Sequence, residues 1–263
     1  MNLCRRRNIM QEFRTKELYA DFYENKGKPL LIIIGGSRKG IWSISKILLD
    51  YLLKHYSVLI FAYFGVGELP KNLSKVPLEY FINGINIIKS KLNLKDEDIT
   101  IVANSKGAEA ALLLVSKHIN AKAVVACVPS CYVWQGLVKN FLDFIFPKSS
   151  WTLNGKQLPF IKFRYNRKIL KDIKNKIYLS CSIKSISENK NNKVLIDLKE
   201  FKGKLLLLSS DSDNYWPSKD MCDTIVQNFK INVTHKVLNL TGHYFQDYEE
   251  SVKEIIDFLD GTR

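Results

Sequence analysis

The chain has no apolar run long enough to cross a membrane. Its longest, such as Leu30 to Ile34 and Leu205 to Leu208, are strand-sized. No apolar stretch stands behind the basic residues Arg5 to Arg7, so a secretory leader is not expected. Cysteine is sparse: the five thiols, at 4, 127, 131, 181 and 222, make no metal-ligand spacing, and their odd number argues against a disulfide framework. The simple expectation is free thiols in a reducing cytoplasm. Histidine is scarcer still, with four copies, so any chemistry that needs an imidazole base has few places to be. No metal site and no cofactor are expected.

What the chain has in excess is positive charge, a formal +14. Most of it is lysine scattered over helices and loops, without a clustered patch or a recognisable nucleic-acid module, so nucleic acid is not an expected partner. An apolar fraction of 46 % with 25 % charged residues is globular composition, and 263 residues suit a single well-packed α/β domain.

Short apolar runs alternate with helical patterns. Strands are predicted over 30–34, 57–64, 99–104, 121–130, 203–213 and 231–240. Helices are predicted over 41–54, 77–92 and 108–118, from Ser218, and over the closing EESVKEIIDFLDG. This rhythm predicts an α/β fold with a mostly parallel sheet covered on both faces. Residues 131–202 interrupt it with an aromatic-rich stretch, a helix expected near 137–146, and YLSCSIKSI and KVLIDL, which have the strand character of a lone hairpin. They read as an insertion that forms a lid or pocket wall. Residues 1–20 are expected to be a tail and 21–263 a single domain.

Ser105 lies in Ala-Asn-Ser-Lys-Gly, directly between a predicted strand and a predicted helix. That is the context of a nucleophile elbow, where small residues two before and two after the serine let strand and helix nearly touch. Ala103 and Gly107 meet the demand. The plain alternative is Ser105 as a helix N-cap. A serine nucleophile needs a base, and His243 follows the last predicted strand at the sheet end where active-site loops gather. His55 and His118 sit near helix ends, and His235 lies inside a strand, on a face read as solvated. The orienting acid belongs between serine and histidine in chain order; Asp213 is preferred to Asp211 because it lies further into the loop, beside Tyr215 and Trp216. Oxyanion donors are expected from the backbone of Lys106 and of Ser37 or Arg38, where Gly36 allows close approach. Trp134, Trp151, Tyr215 and Trp216 are candidate pocket walls, with core packing as the alternative for the tryptophans.

The strings IIIGGS (32–37), AYFGVGELP (62–70), VPLEYF (76–81), NSKGAEAALLL (104–114), PSCYVWQG (129–136), SSWTLNGKQLPF (150–160), DNYWPS (213–218) and TGHYF (241–245) together resemble one family. It is the C-terminal catalytic domain of the acyl-CoA thioesterase and bile acid-CoA:amino acid N-acyltransferase family, in the dienelactone-hydrolase-like branch of the α/β-hydrolases. The resemblance implies an α/β-hydrolase fold and a triad on Ser105, Asp213 and His243. It further implies a small acyl ester or thioester as substrate, with acyl-CoA the family's own. Members that transfer acyl groups to amino acids are similar but carry cysteine as nucleophile, so Ser105 implies hydrolysis. Alternatives are a carboxylesterase, peptidase or amidase with the same triad, an N-acyltransferase, or a non-catalytic binding protein. The chain departs from the family's pattern at Ala103 and Ser210, where glycine is usual, and in the oxyanion loop Ser37-Arg38-Lys39-Gly40, which is not a glycine run.

Overall fold

The computed structural model describes residues 9–244 and 248–263. Its centre is an eight-stranded sheet built from β1 (Ile9–Arg14), β2 (Tyr19–Glu24), β3 (Leu30–Ile34), β4 (Ser57–Phe61), β5 (Ile99–Asn104), β6 (Ala123–Cys127), β7 (Lys204–Ser212) and β8 (Val233–Thr241). In space the strands run β1-β2-β4-β3-β5-β6-β7-β8. All pairings from β4 onward across the sheet are parallel; β2 is antiparallel to both β1 and β4. This is the α/β-hydrolase architecture.

Burial explains why the central strands read as unbroken apolar runs. Every residue of β3 to β6 is buried, because helices cover both faces. Alternation still sorts the side chains: Leu30, Ile32 and Ile34 join one core, Leu31 and Ile33 the other. The first core receives α2 (Leu78–Leu92), α3 (Lys106–Lys117) and α7 (Ser218–Asn228) through Phe81, Leu112 and Met221. The second receives α1 (Lys46–His55) and α8 (Glu249–Asp260) through Leu52 and Ile255.

Sequence and structure part company in three places. Residues 9–20, assigned to a tail, contribute β1 and the start of β2, a hairpin that extends the sheet. Ala20 and Phe22 are buried while their neighbours in β2 are not, a pattern one pair of buried residues wide. Cys4 and Arg5 to Arg7 lie outside the described residues. The helix predicted from 41 starts at Lys46, where the Ser45 side chain accepts from the Leu48 N–H and caps it.

The hairpin weighed for YLSCSIKSI and KVLIDL does not form; the insertion's hairpin instead pairs Trp151–Leu153 with Lys156–Gln157. YLSCSIKSI lies mostly in α6 (Leu179–Asn189), and KVLIDL forms no strand of its own but bridges through Leu195 to Tyr132. The alternation misled because the buried face of α6 is polar: Cys181, Ser182 and Ser185. Its hydroxyls are used locally, Ser185 Oγ donating to the Cys181 carbonyl and Ser182 Oγ to that of Tyr215, both at 2.7 Å. The expected helix near 137–146 is shorter, α4 (Phe141–Ile145), and α5 (Arg167–Lys174) completes the insertion.

Candidate active site

Four loops leave the carboxyl ends of β3, β5, β7 and β8 and meet at one edge of the sheet, where ligands bind in parallel α/β folds. The loop after β5 is a single residue. Ser105 has φ +52° and ψ −118°, a conformation that L side chains rarely adopt, and α3 begins at the next residue. Its hydroxyl does not cap the helix.

The sharp turn explains Gly107. A Cβ built there would stand 2.1 Å from the Gly35 carbonyl oxygen and 2.3 Å from that of Ile34, both backbone atoms that cannot swing away. Gly107→Ala is therefore expected to destabilise the fold by about 3 kcal/mol or more. Gly261→Ala, where a Cβ meets only ordinary contacts and φ is negative, should move the urea midpoint little.

Asp213 is aimed by a bulge. The β7–β8 register shifts between Ser210 and Ser212, which leaves Asp211 exposed and turns Asp213 into the interior. Asp213 Oδ1 accepts from the backbone N–H groups of Tyr215 (2.9 Å) and Trp216 (3.3 Å), so the carboxylate is fixed by its own loop. His243 follows Gly242, whose φ is +83°. The His243 Nδ1 lies 2.9 Å from Asp213 Oδ2, and Nε2 lies 2.7 Å from Ser105 Oγ. With Nδ1–H directed at the acid, Nε2 is left to accept the serine proton. All three residues are buried, and the imidazole is stacked on Tyr215 and edge-on to Trp216.

Two other buried serines stand apart. Ser57 is at the amino end of β4, bonded to the Asn25 backbone. Ser209 Oγ does lie 2.7 Å from His235 Nε2, with Asp223 3.0 Å behind Nδ1, a second serine–histidine–aspartate line. Ser209 is fully buried within β7, however, and is not part of the cavity wall over Ser105. His235, read as lying on a solvated face, is half-buried in this line, and burial holds its pKa below the usual imidazole value.

Ser105 and His243 open into a cavity of about 550 Å³ whose walls are mainly apolar and aromatic. Ser37 and Lys106, named as backbone donors, and Trp134, Tyr215 and Trp216, named as candidate walls, all line it. Most of its roof comes from 131–202, including Leu137, Phe144, Phe163, Leu170 and Tyr178. Arg38 is exposed and its side chain is not part of the wall. Gly36 lies behind the wall, where a Cβ would crowd Asn104 and Ser105 at 3.3–3.4 Å. Its carbonyl accepts from the buried Tyr63 hydroxyl at 2.6 Å, which holds the loop after β3 in place.

Trp151 is a correction to the expected pocket. It is wholly buried between Tyr63 and Phe81, and its Nε1 donates to Glu109 at 2.7 Å. An indole is both the largest apolar group and a donor, so its sequence position alone does not separate wall from core. Sequence reasoning also missed Glu109 itself. It is fully buried in the first turn of α3, 2.5 Å from Lys106 Nζ, and accepts from the Trp134 backbone N–H at 2.9 Å. Burial pushes the Glu109 carboxyl up and the Lys106 ammonium down, while each offsets the other's shift. The available signal was the i, i+3 Lys-Glu spacing, which more often marks a solvated face.

Comparison with known proteins comes to the same place. The family model described as BAAT / Acyl-CoA thioester hydrolase C terminal matches residues 76–247. Human acyl-coenzyme A thioesterase 1 is 25 % identical over 200 residues, covering 73 % of this chain and 44 % of that protein. Mouse acyl-coenzyme A amino acid N-acyltransferase 1 is also 25 % identical, over 172 residues, 62 % of this chain and 35 % of its own. The chain thus spans less than half the length of these relatives. Among solved structures, the Pyrococcus furiosus esterase Pf2001 superposes with a TM-score of 0.60 at 16 % identity, covering 97 % of this chain and 90 % of that one. At that identity the likeness is one of fold.

Proposed function

From a chain that belongs to the BAAT / acyl-CoA thioester hydrolase C-terminal family, we propose a serine hydrolase that cleaves acyl thioesters, with acyl-CoA as substrate. The observation that carries this reading is the 2.7 Å contact of Ser105 Oγ with a carboxylate-backed imidazole at the floor of an apolar cavity. Ser105 Oγ attacks the acyl carbonyl while His243 Nε2 takes its proton, and Asp213 stabilises the imidazolium. The Lys106 N–H and the backbone at Ser37 or Arg38 hold the oxyanion. Collapse of the tetrahedral species expels the thiolate, which takes the proton from His243 and leaves an acyl-serine. Water, deprotonated by His243, then frees the acid and restores Ser105.

The apolar walls suit an acyl chain, and Arg38 and Lys39 supply two exposed cations in the loop after β3 that suit phosphates. Cys131, Cys181 and Cys222 are buried free thiols, which supports a reducing compartment, the cytoplasm, as the site of action. Among the described residues, no helix is long and apolar enough to cross a membrane.

The test is intact mass after treatment with a fluorophosphonate probe, with palmitoyl-CoA and a short p-nitrophenyl ester as substrates. The expected result is one adduct on the wild type, none on Ser105→Ala, and a higher kcat/KM for the thioester. A folded, unlabelled and inert wild type would overturn the hydrolase reading. Labelling with turnover of the ester alone would overturn the acyl-CoA part.

A further inference from the structure

The mouth of the cavity has a surface that the chemistry below does not use. In Phe141-Leu142-Asp143-Phe144-Ile145-Phe146, five of the six residues are large hydrophobics that face solvent; Phe141 is 73 % exposed and Phe146 64 %. Burying such groups is worth more than leaving them wet, and an exposed apolar patch rimmed by polar residues marks a contact surface. The patch is continuous with the cavity. Phe144 lines the cavity from α4 and Leu170 from α5, and both are also about half exposed.

The rim is cationic. Residues 137–177 hold ten lysines and arginines against two acids, Asp143 and Asp172. The Asp143 carboxylate accepts from the backbone N–H of Lys139, and that of Asp172 from the Ser180 hydroxyl. Lys139 and Lys148 flank α4 in sequence and Arg167, Lys168, Lys171 and Lys174 lie on α5; all six are exposed, and the described salt bridges include none of them. Aromatic and aliphatic groups ringed by lysine are the composition of a surface that lies in the interface of an anionic bilayer.

We infer that α4, the adjoining Phe146 and α5 dock this mouth onto an anionic lipid surface. Charge complementarity selects that occupant over a second copy of the chain, since two such rims would face each other with the same sign. An amphiphilic substrate partitioned into the bilayer would then reach Ser105 through the patch with its acyl chain kept out of bulk water.

The test is sedimentation of the whole chain with vesicles of phosphatidylcholine alone or mixed with phosphatidylglycerol. Wild type and Ser105→Ala should bind the anionic vesicles equally, which separates this inference from the hydrolase reading. Phe141→Ser with Phe146→Ser, and separately Lys168→Glu with Lys171→Glu, should each weaken binding about tenfold or more. Raised salt should weaken the wild type in the same direction. None of these four residues lines the cavity, so both pairs should keep wild-type turnover of a short soluble ester. No sedimentation with anionic vesicles, or sedimentation that both variants leave unchanged, would overturn the inference. So would a wild-type dimer that the Phe141 and Phe146 substitutions convert to monomer, since the patch would then be covered by its own copy.

Discussion

Ser105→Ala is expected to lower kcat for a thioester by about 10⁴- to 10⁶-fold, and His243→Ala to do nearly the same. The informative variant is the double one. In the proposed mechanism Ser105 Oγ has no function without Nε2 to take its proton, and Nε2 has nothing to deprotonate without Oγ. The two losses should therefore not add: the double variant should retain the activity of the worse single one, carried by oxyanion donors and binding. Asp213→Asn should cost less than either, since it leaves the nucleophile and base in place but disturbs the tautomer. Each substitution is small and lies on a loop at the sheet edge, so circular dichroism and urea midpoints should stay near wild type. Multiplicative losses in the double variant would show that Ser105 and His243 act in separate steps, against the geometry at 2.7 Å.

That these three residues could be named from sequence reflects where each one sits. Ser105 and His243 follow β5 and β8, strands whose apolar runs are conspicuous, and histidine is rare enough in this chain that few competitors existed. Asp213 was harder. Asp211 stands two residues earlier, still on β7, and only the bulge at Ser210–Ser212 decides which of the two turns inward. A register shift is a property of the paired backbone, and nothing in SSDSD displays it.

The sheet itself was legible from β3 onward for the same reason: strands buried on both faces cannot avoid being apolar throughout. The edge hairpin and the insertion were not. β1 and β2 form an edge that buries few side chains, and α6 buries serines and a cysteine, so periodicity points away from its true inner face. Trp151 and Glu109 were misjudged or missed together because each explains the other. A buried carboxylate is tolerable only with the donors that Lys106 on its own helix, the Trp134 backbone and the Trp151 indole bring to it, and the last two arrive from distant segments.

That junction supplies the largest stability effect expected in the molecule. Glu109→Ala removes a carboxylate that is fully buried and leaves three donors without an acceptor: the Lys106 ammonium, the Trp134 N–H and the Trp151 Nε1–H. Breaking a buried ion pair from one side costs about 3–5 kcal/mol, because the remaining charge is stranded in low dielectric. Lys106 can shed that cost in part by losing its proton, the direction in which burial already moves it. The two indole-segment donors have no such escape, and each unmet buried donor costs about 1–3 kcal/mol.

Comparison of Glu109→Ala with Lys106→Met and with the double variant separates the two parts. The double variant removes the stranded charge, so it should recover about half of the loss seen in Glu109→Ala and no more. Glu109→Gln keeps an acceptor for Trp134 and Trp151 and should fall between wild type and alanine. Urea midpoints read the whole series. Full recovery in the double variant would mean that the ion pair alone matters and that Trp134 and Trp151 are held by packing. No loss in Glu109→Ala would mean that water replaces the carboxylate, and that the segment carrying Trp134 does not depend on α3 for its position over Ser105.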